Sequence, residues 1–142
     1  MSDVNELTGR VIGCAMKVHS ALGPGLLESA YEACLEFELN RSGLKVERQL
    51  ALPVLYEGAR VDCGYRVDLL VENEVVLELK AVDAIAPIHE AQLLSYLKLS
   101  GNSVGLLINF NTVHLRDGIK RMVNDYKQLS PRTSATSAVK KP

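Results

Sequence analysis

The run Val75-Val76-Leu77-Glu78-Leu79-Lys80-Ala81 is apolar and β-branched, and two charges interrupt it. Short apolar runs bounded by turn residues read as strands buried on both faces of a sheet, and the polar triplet Glu72-Asn73-Glu74 supplies the turn before this one. A charge in such a strand must find a partner or a cation. Successive side chains point to opposite faces, so Glu78 and Lys80 share one face while Leu77 and Leu79 fill the other. With a loop of Glu72 to Glu74, pairing is symmetric about Asn73, and Asp68, five residues before it, faces Glu78, five after. Cross-strand neighbours lie about 5 Å apart, where like charges repel unless a cation sits between them. The same register sets Arg66 opposite Lys80.

Two carboxylates beside a lysine suit metal-assisted phosphodiester hydrolysis. Hard oxygens hold Mg²⁺ or Mn²⁺, the ion lowers the pKa of an attacking water, and the lysine orients that water or neutralises charge on the phosphate. The bland reading puts Glu78 and Lys80 on a solvated sheet face, with Asp68 paired to Arg66 or Lys80. A register slip of one residue would part the carboxylates. Two more features bear on the choice. Gln92 and Tyr96 are four residues apart and stack on one helix face beside Leu93 and Leu97, either as ordinary boundary residues or as groups that position a phosphate. Glu28, three residues after Gly25, complements the dipole at a helix N-terminus or joins the acids.

Around this hairpin the chain reads α-α-β-β-β-β-α-β-β-α. A helix from Asn5 to Leu22 carries Ile12, Ala15, Met16, His19 and Leu22 on one stripe and stops at Gly23-Pro24-Gly25. A second follows from Leu26 to Arg41, with Leu27, Ala30, Tyr31, Cys34 and Leu35 as its apolar face and Ser42-Gly43 as its end. Strands are expected at Val46–Leu52 and Pro53–Tyr56, then after the Glu57-Gly58 turn as one long run from Arg60 to Val71. Ala86-Pro87 opens a helix to Ser100, Val104–Phe110 is a buried strand, Val113–Leu115 a short one, and Asp117–Lys127 a last helix. His19 reads as a packed, hydrogen-bonded residue; His89 and His114 read as surface or cap residues.

Charge narrows the partners. The 16 Lys+Arg and 17 Asp+Glu of the 142 residues nearly cancel, which argues against a binder that grips phosphates through a large basic excess. The segment 128–142 holds three of the basic residues and no acid, so residues 1–127 carry −4. We expect one α/β domain over 1–127 and a disordered basic tail over 128–142, whose Ser, Thr, Pro and Ala bury little apolar surface. Cys14, Cys34 and Cys63 are odd in number, lack a C-x-x-C pair and have apolar neighbours; reduced, buried thiols are expected. The start MSDVNELTGR has acids in place of a basic leader, and no stretch approaches the roughly 18 apolar residues of a membrane span, so the expected location is the cytoplasm.

Glu28 in an early helix, Asp68 in a strand, Glu78-Leu79-Lys80 in the next and Gln92-x-x-x-Tyr96 in the following helix together resemble the PD-(D/E)XK nuclease superfamily, particularly its RecB-like and archaeal Holliday-junction-resolvase-like branches. The run His19-Ser-Ala-Leu-Gly-Pro-Gly-Leu-Leu-Glu28-Ser-Ala-Tyr31 looks like that of the small GxxExxxR group assigned to it. The resemblance covers Ile12 to Phe110 and implies a mixed central sheet flanked by helices, of restriction-endonuclease-like architecture. It implies that Asp68, Glu78 and the Leu79 carbonyl hold Mg²⁺ or Mn²⁺, that Lys80 assists the water, that Glu28 completes the acidic cluster, and that Gln92 and Tyr96 support it or touch substrate. Val67 stands where the motif's name has Pro, and Glu32 where the group's name has Arg. A Glu28–Glu32 pair one helical turn apart is repulsive and would gain from a nearby cation. The expected activity is metal-dependent cleavage of DNA, branched or single-stranded forms included, with a homodimer closing a basic groove. The alternative is a non-catalytic nucleic-acid-binding or assembly module that keeps the nuclease fold.

Overall fold

Helix α1 (Val4–Leu22) begins where the Asp3 carboxylate accepts the Asn5 N–H at 3.0 Å, satisfying a donor that the first helical turn leaves open. It ends at Gly23, whose φ of 70° suits a residue without a Cβ. The computed structural model describes residues 3–124, and the expected tail over 128–142 lies outside the described residues. The buried face of α1 is Leu7, Val11, Ala15, Val18 and His19, while Met16 and Leu22, expected on the stripe, are exposed.

Helix α2 (Glu28–Arg41) departs further from its expected face. Leu27 and Cys34 are exposed, and the buried residues are Tyr31, Leu35 and Leu39 together with Glu32 and Glu38. Two acids take places that apolar periodicity would reserve for aliphatics because each meets cations there. Glu38 binds Lys17 and Arg41, both at 3.0 Å, and Glu32 binds Arg48 at 2.7 Å. Cys63 is exposed as well, so of the three thiols only Cys14 is buried.

The strands are β1 (Val46–Ala51), β2 (Val54–Tyr56), β3 (Ala59–Val61), β4 (Arg66–Val71), β5 (Val75–Lys80), β6 (Val104–Asn109) and β7 (Ile119–Val123), with α3 (Pro87–Ser100) between β5 and β6. Five of them form one sheet in the order β1-β4-β5-β6-β7, and β2-β3 is a separate hairpin. Only β5 and β6 run parallel within the large sheet, joined by α3; its other pairs are antiparallel. The fold is thus mixed α/β, a sheet flanked by helices. Among the described residues no helix is long and apolar enough to cross a membrane.

Two expected elements change. The run from Arg60 to Val71 breaks at 62–65, where Gly64 has a φ of 80° and the Asp62 carboxylate accepts its N–H at 2.9 Å. Past β6, Val113–Leu115 is not a strand, and Asp117–Lys127 is not a helix as far as it is described. Leu115–Gly118 makes one 3₁₀ turn, and Ile119–Val123 pairs antiparallel with β6 from Ile108↔Ile119 to Val104↔Val123. The open edge of a buried strand offers a row of backbone donors and acceptors, and satisfying them outweighs the helical spacing of this segment.

The sheet packs α1 and α2 on one face and α3 on the other. Alternation fails at one place in β1 and β4 together. Val46 packs on the α1–α2 side but Leu50 on the α3 side; Leu69 and Val71 pack on the α1–α2 side but Val67 on the α3 side. Regular alternation would keep all of these on the α1–α2 face. The switch centres on Gln49, whose φ of 55° is the left-handed conformation, at a cost of about 1–2 kcal/mol for a residue with a Cβ. Gln49 is the register neighbour of Asp68.

Gly118 lets the chain turn tightly over the end of β6. A Cβ there would collide with the Asn109 carbonyl oxygen, a backbone atom that cannot swing aside. Gly118→Ala is expected to destabilise the protein by about 1–3 kcal/mol, seen as a lowered midpoint in urea unfolding with an unchanged slope.

Candidate active site

The hairpin of β4 and β5 has the symmetric register expected of it: Val71↔Val75, Leu70↔Val76 and Leu69↔Leu77. The regular ladder stops there. At the next position side chains replace the backbone exchange, since the Asp68 N–H donates to Glu78 Oε2 at 3.1 Å and the Leu79 N–H donates to Asp68 Oδ2 at 2.8 Å. The expected Arg66–Lys80 pair is not formed; the Arg66 guanidinium is exposed and donates to the Tyr65 carbonyl at 3.2 Å.

Glu78 is 4% exposed. Burial, and then the Asp68 charge, push its carboxyl from the ordinary 4.5 up to about 8, against the opposing pull of the Asp68 N–H and Lys80. Asp68 is raised for the same first reason, with the Leu79 N–H acting the other way. Glu28, the first residue of α2, is raised by burial and by Asp68, and Lys80 pulls it down. These influences place acids from α2, β4 and β5 within one another's field, with one ammonium among them. Tyr31 fixes the approach to Glu28: its hydroxyl donates to the Gly23 carbonyl and accepts the Leu26 N–H, and its ring stacks on Phe110 with centroids 4.5 Å apart.

Lys80 Nζ donates to Gln92 Oε1, and Gln92 Nε2 donates to the Tyr96 hydroxyl, both at 3.3 Å. The helical spacing of Gln92 and Tyr96 therefore aims a chain of polar groups from α3 at the ammonium. The loop after Lys80 is held by Asn109, whose side chain accepts the Val82 N–H at 3.0 Å and donates to the Val82 carbonyl at 2.9 Å.

Three residues not singled out from the sequence complete the arrangement. Arg48 Nε donates to Glu32 at 2.7 Å and Nη1 to Glu36 at 3.1 Å. Gln49 Nε2 donates to both oxygens of Glu32 at 3.0 Å and to Asp68 Oδ1 at 3.3 Å. The spacing of Glu28 and Glu32 calls for a cation, and Arg48 of β1 provides it to Glu32. Nothing in the spacing identifies Arg48 or Gln49, which depend on how β1 aligns with β4. His19 is packed and bonded to the Thr112 carbonyl at 2.8 Å, and the His89 ring accepts the Ala86 N–H at 2.9 Å as a cap on α3.

Glu28, Asp68 and Glu78 offer only carboxylate oxygens, without thiol or imidazole, a donor set that suits a hard divalent cation rather than a soft one. As they stand, among the described residues, no three Asp, Glu, His or Cys side chains converge tightly enough to hold an ion; one oxygen each of Asp68 and Glu78 is turned onto a backbone amide.

Because folding raises the Glu78 carboxyl, it favours the neutral form. The stability this contributes is complete below pH 4.5 and is lost as pH climbs through about 8. In chelator, Glu78→Gln is expected to melt above the wild type at alkaline pH, with the gap closing near pH 4.5. Melting curves of both proteins across this range provide the check.

The comparison with known proteins agrees with the fold. The family model for the PD-(D/E)XK nuclease superfamily matches residues 5–122, spanning α1 through most of β7. No curated protein and no solved structure matches the chain. With most of its length covered by that match, the chain belongs to the PD-(D/E)XK nuclease superfamily.

Proposed function

We propose that the protein is a divalent-metal-dependent nuclease that hydrolyses phosphodiester bonds in DNA, of the GxxExxxR group and the RecB-like side of its superfamily. The observation that carries the reading is the meeting of Asp68 and Glu78 in the β4–β5 hairpin, where the Asp68 N–H donates to the Glu78 carboxylate, with Lys80 two residues further along β5 and held by Gln92. Glu28 is near enough for Asp68 to raise it and Lys80 to lower it. Asp68 and Glu78 would hold Mg²⁺ or Mn²⁺ together with the Leu79 carbonyl, and Glu28 would add an outer carboxylate. Bound there, the ion supplies Lewis acidity and a water that ionises near neutral pH.

The chain's own residues do the rest. Lys80, steadied by Gln92 and through it by Tyr96, orients the attacking water and offsets charge developing on the phosphate. Asp68 and Glu78 each keep one oxygen on a backbone amide, which leaves the other for a cation, and the Glu78 carboxyl, raised to about 8, would give up its proton to one. A non-catalytic module of the same fold is the second reading, favoured by the acid excess of residues 1–127.

With Mn²⁺ present, cleavage of branched and single-stranded DNA is expected, and Lys80→Ala should slow it by about a hundredfold or more. Equal rates for the two proteins would sink the assignment of Lys80. In calorimetry the wild type should bind Mn²⁺, more tightly as pH rises, and Asp68→Asn should lose that binding. An absence of binding at every metal concentration would favour the module.

A further inference from the structure

We propose that Gln49 is a positioning residue: its side-chain amide locks the Asp68 carboxylate in one orientation by tying it to the Glu32–Arg48 ion pair. The proposal deepens the nuclease reading and rests on it for its metal-binding arm only.

Asp68 is held from two sides. Oδ2 accepts the Leu79 N–H at 2.8 Å, and Oδ1 accepts Gln49 Nε2 at 3.3 Å. A carboxylate fixed at one oxygen still rotates about that contact; fixed at both, it presents a set direction to a cation or a water. Gln49 can hold it because its own far side is anchored. The same Nε2 meets Glu32 Oε1 and Oε2 at 3.0 Å, and Glu32 is buried and clamped by Arg48 at 2.7 Å, with Arg48 fixed in turn on Glu36. Both partners of the Gln49 amide are carboxylates, which when ionised only accept, so its NH₂ and not its oxygen must face them. The bridge places a neutral double donor of β1 between two acids, Glu32 of α2 and Asp68 of β4, that would otherwise face each other.

The backbone supports a role for the side chain. At φ 55° inside a strand, glycine would sit with less strain than any residue with a Cβ. Gln49 occupies a position where the fold alone would favour glycine, and the amide is what glycine lacks. Gln49→Gly is therefore expected to separate two quantities that a merely structural residue would move together. Its melting temperature should equal or exceed the wild type's, while the orientation of Asp68 is lost.

Two readouts report that orientation in the full chain. In metal-free protein, amide hydrogen exchange by NMR should show the Leu79 N–H about tenfold less protected relative to Val76 and Leu77 on the same strand. In calorimetry, Mn²⁺ affinity should fall about 10–100-fold, the range seen when a residue behind a metal ligand is removed. Gln49→Met, which keeps the length of the side chain and deletes its donors, should reproduce both losses and guards against a folding defect peculiar to glycine. Unchanged relative protection of Leu79 in both variants overturns the proposal. So does wild-type Mn²⁺ affinity in both, or a uniform loss of protection along the strand with a lowered melting temperature. Should the wild type bind no Mn²⁺, the nuclease reading fails, and the relative protection of Leu79 alone decides the role of Gln49.

Discussion

Holding carboxylates inside an apolar sheet is the constraint to which the surrounding structure responds. An ionised acid removed from water needs a cation or several donors, or it takes up a proton. The chain meets this in two ways. Glu38 and Glu32, on the buried face of α2, are paired, the first with Lys17 and Arg41 and the second with Arg48. Glu38 is accordingly held below the ordinary carboxylate range, by Lys17 first. Glu28, Asp68 and Glu78 share one ammonium and are all raised. The first group lies on α2 alone and the second on α2, β4 and β5, and the second has less positive charge around it. That shortage is the feature on which the proposed metal site rests.

The elements that bring this second group together are locked by contacts outside it. The stacked Tyr31 and Phe110 rings join the entrance of α2 to the end of β6, and Asn109 clamps the loop that leaves β5. Lys80 lies on the parallel pair β5–β6, opposite Asn109 in register, at the centre of the sheet and away from its edges. Groups carried on such elements keep their separations better than groups carried on loops.

Much of this was legible in the sequence, for identifiable reasons. Apolar strands bounded by turn residues, and a hairpin symmetric about Asn73, follow from local patterning; the symmetry runs to Leu69↔Leu77, and beyond it a bond from the Asp68 N–H to the Glu78 carboxylate holds the two together. The Gln92–Tyr96 spacing needs only the helical period. What escaped was decided by distant partners. Ile119–Val123 has a sequence compatible with a helix and becomes a strand because β6 has an open edge. The stripe expected on α2 was misplaced because Glu32 and Glu38 are buried with cations from elsewhere in the chain. Arg48 and Gln49 emerge only from the alignment of β1 with β4, which no local signal announces.

The change of face at Gln49 and Asp68 bears on how the two strands find each other. Two regular strands can slide by two residues and bury the same kind of side chain again, so their alignment is weakly determined. Here each strand carries its own break in alternation, and the breaks coincide only when Gln49 stands beside Asp68. Any slide leaves a stretch between them in which one strand shows aliphatic side chains to α3 while its neighbour shows them to α1 and α2. The irregularity thus acts as a key cut into both strands, and the pairing that satisfies it is also the one that delivers Asp68 to its partners.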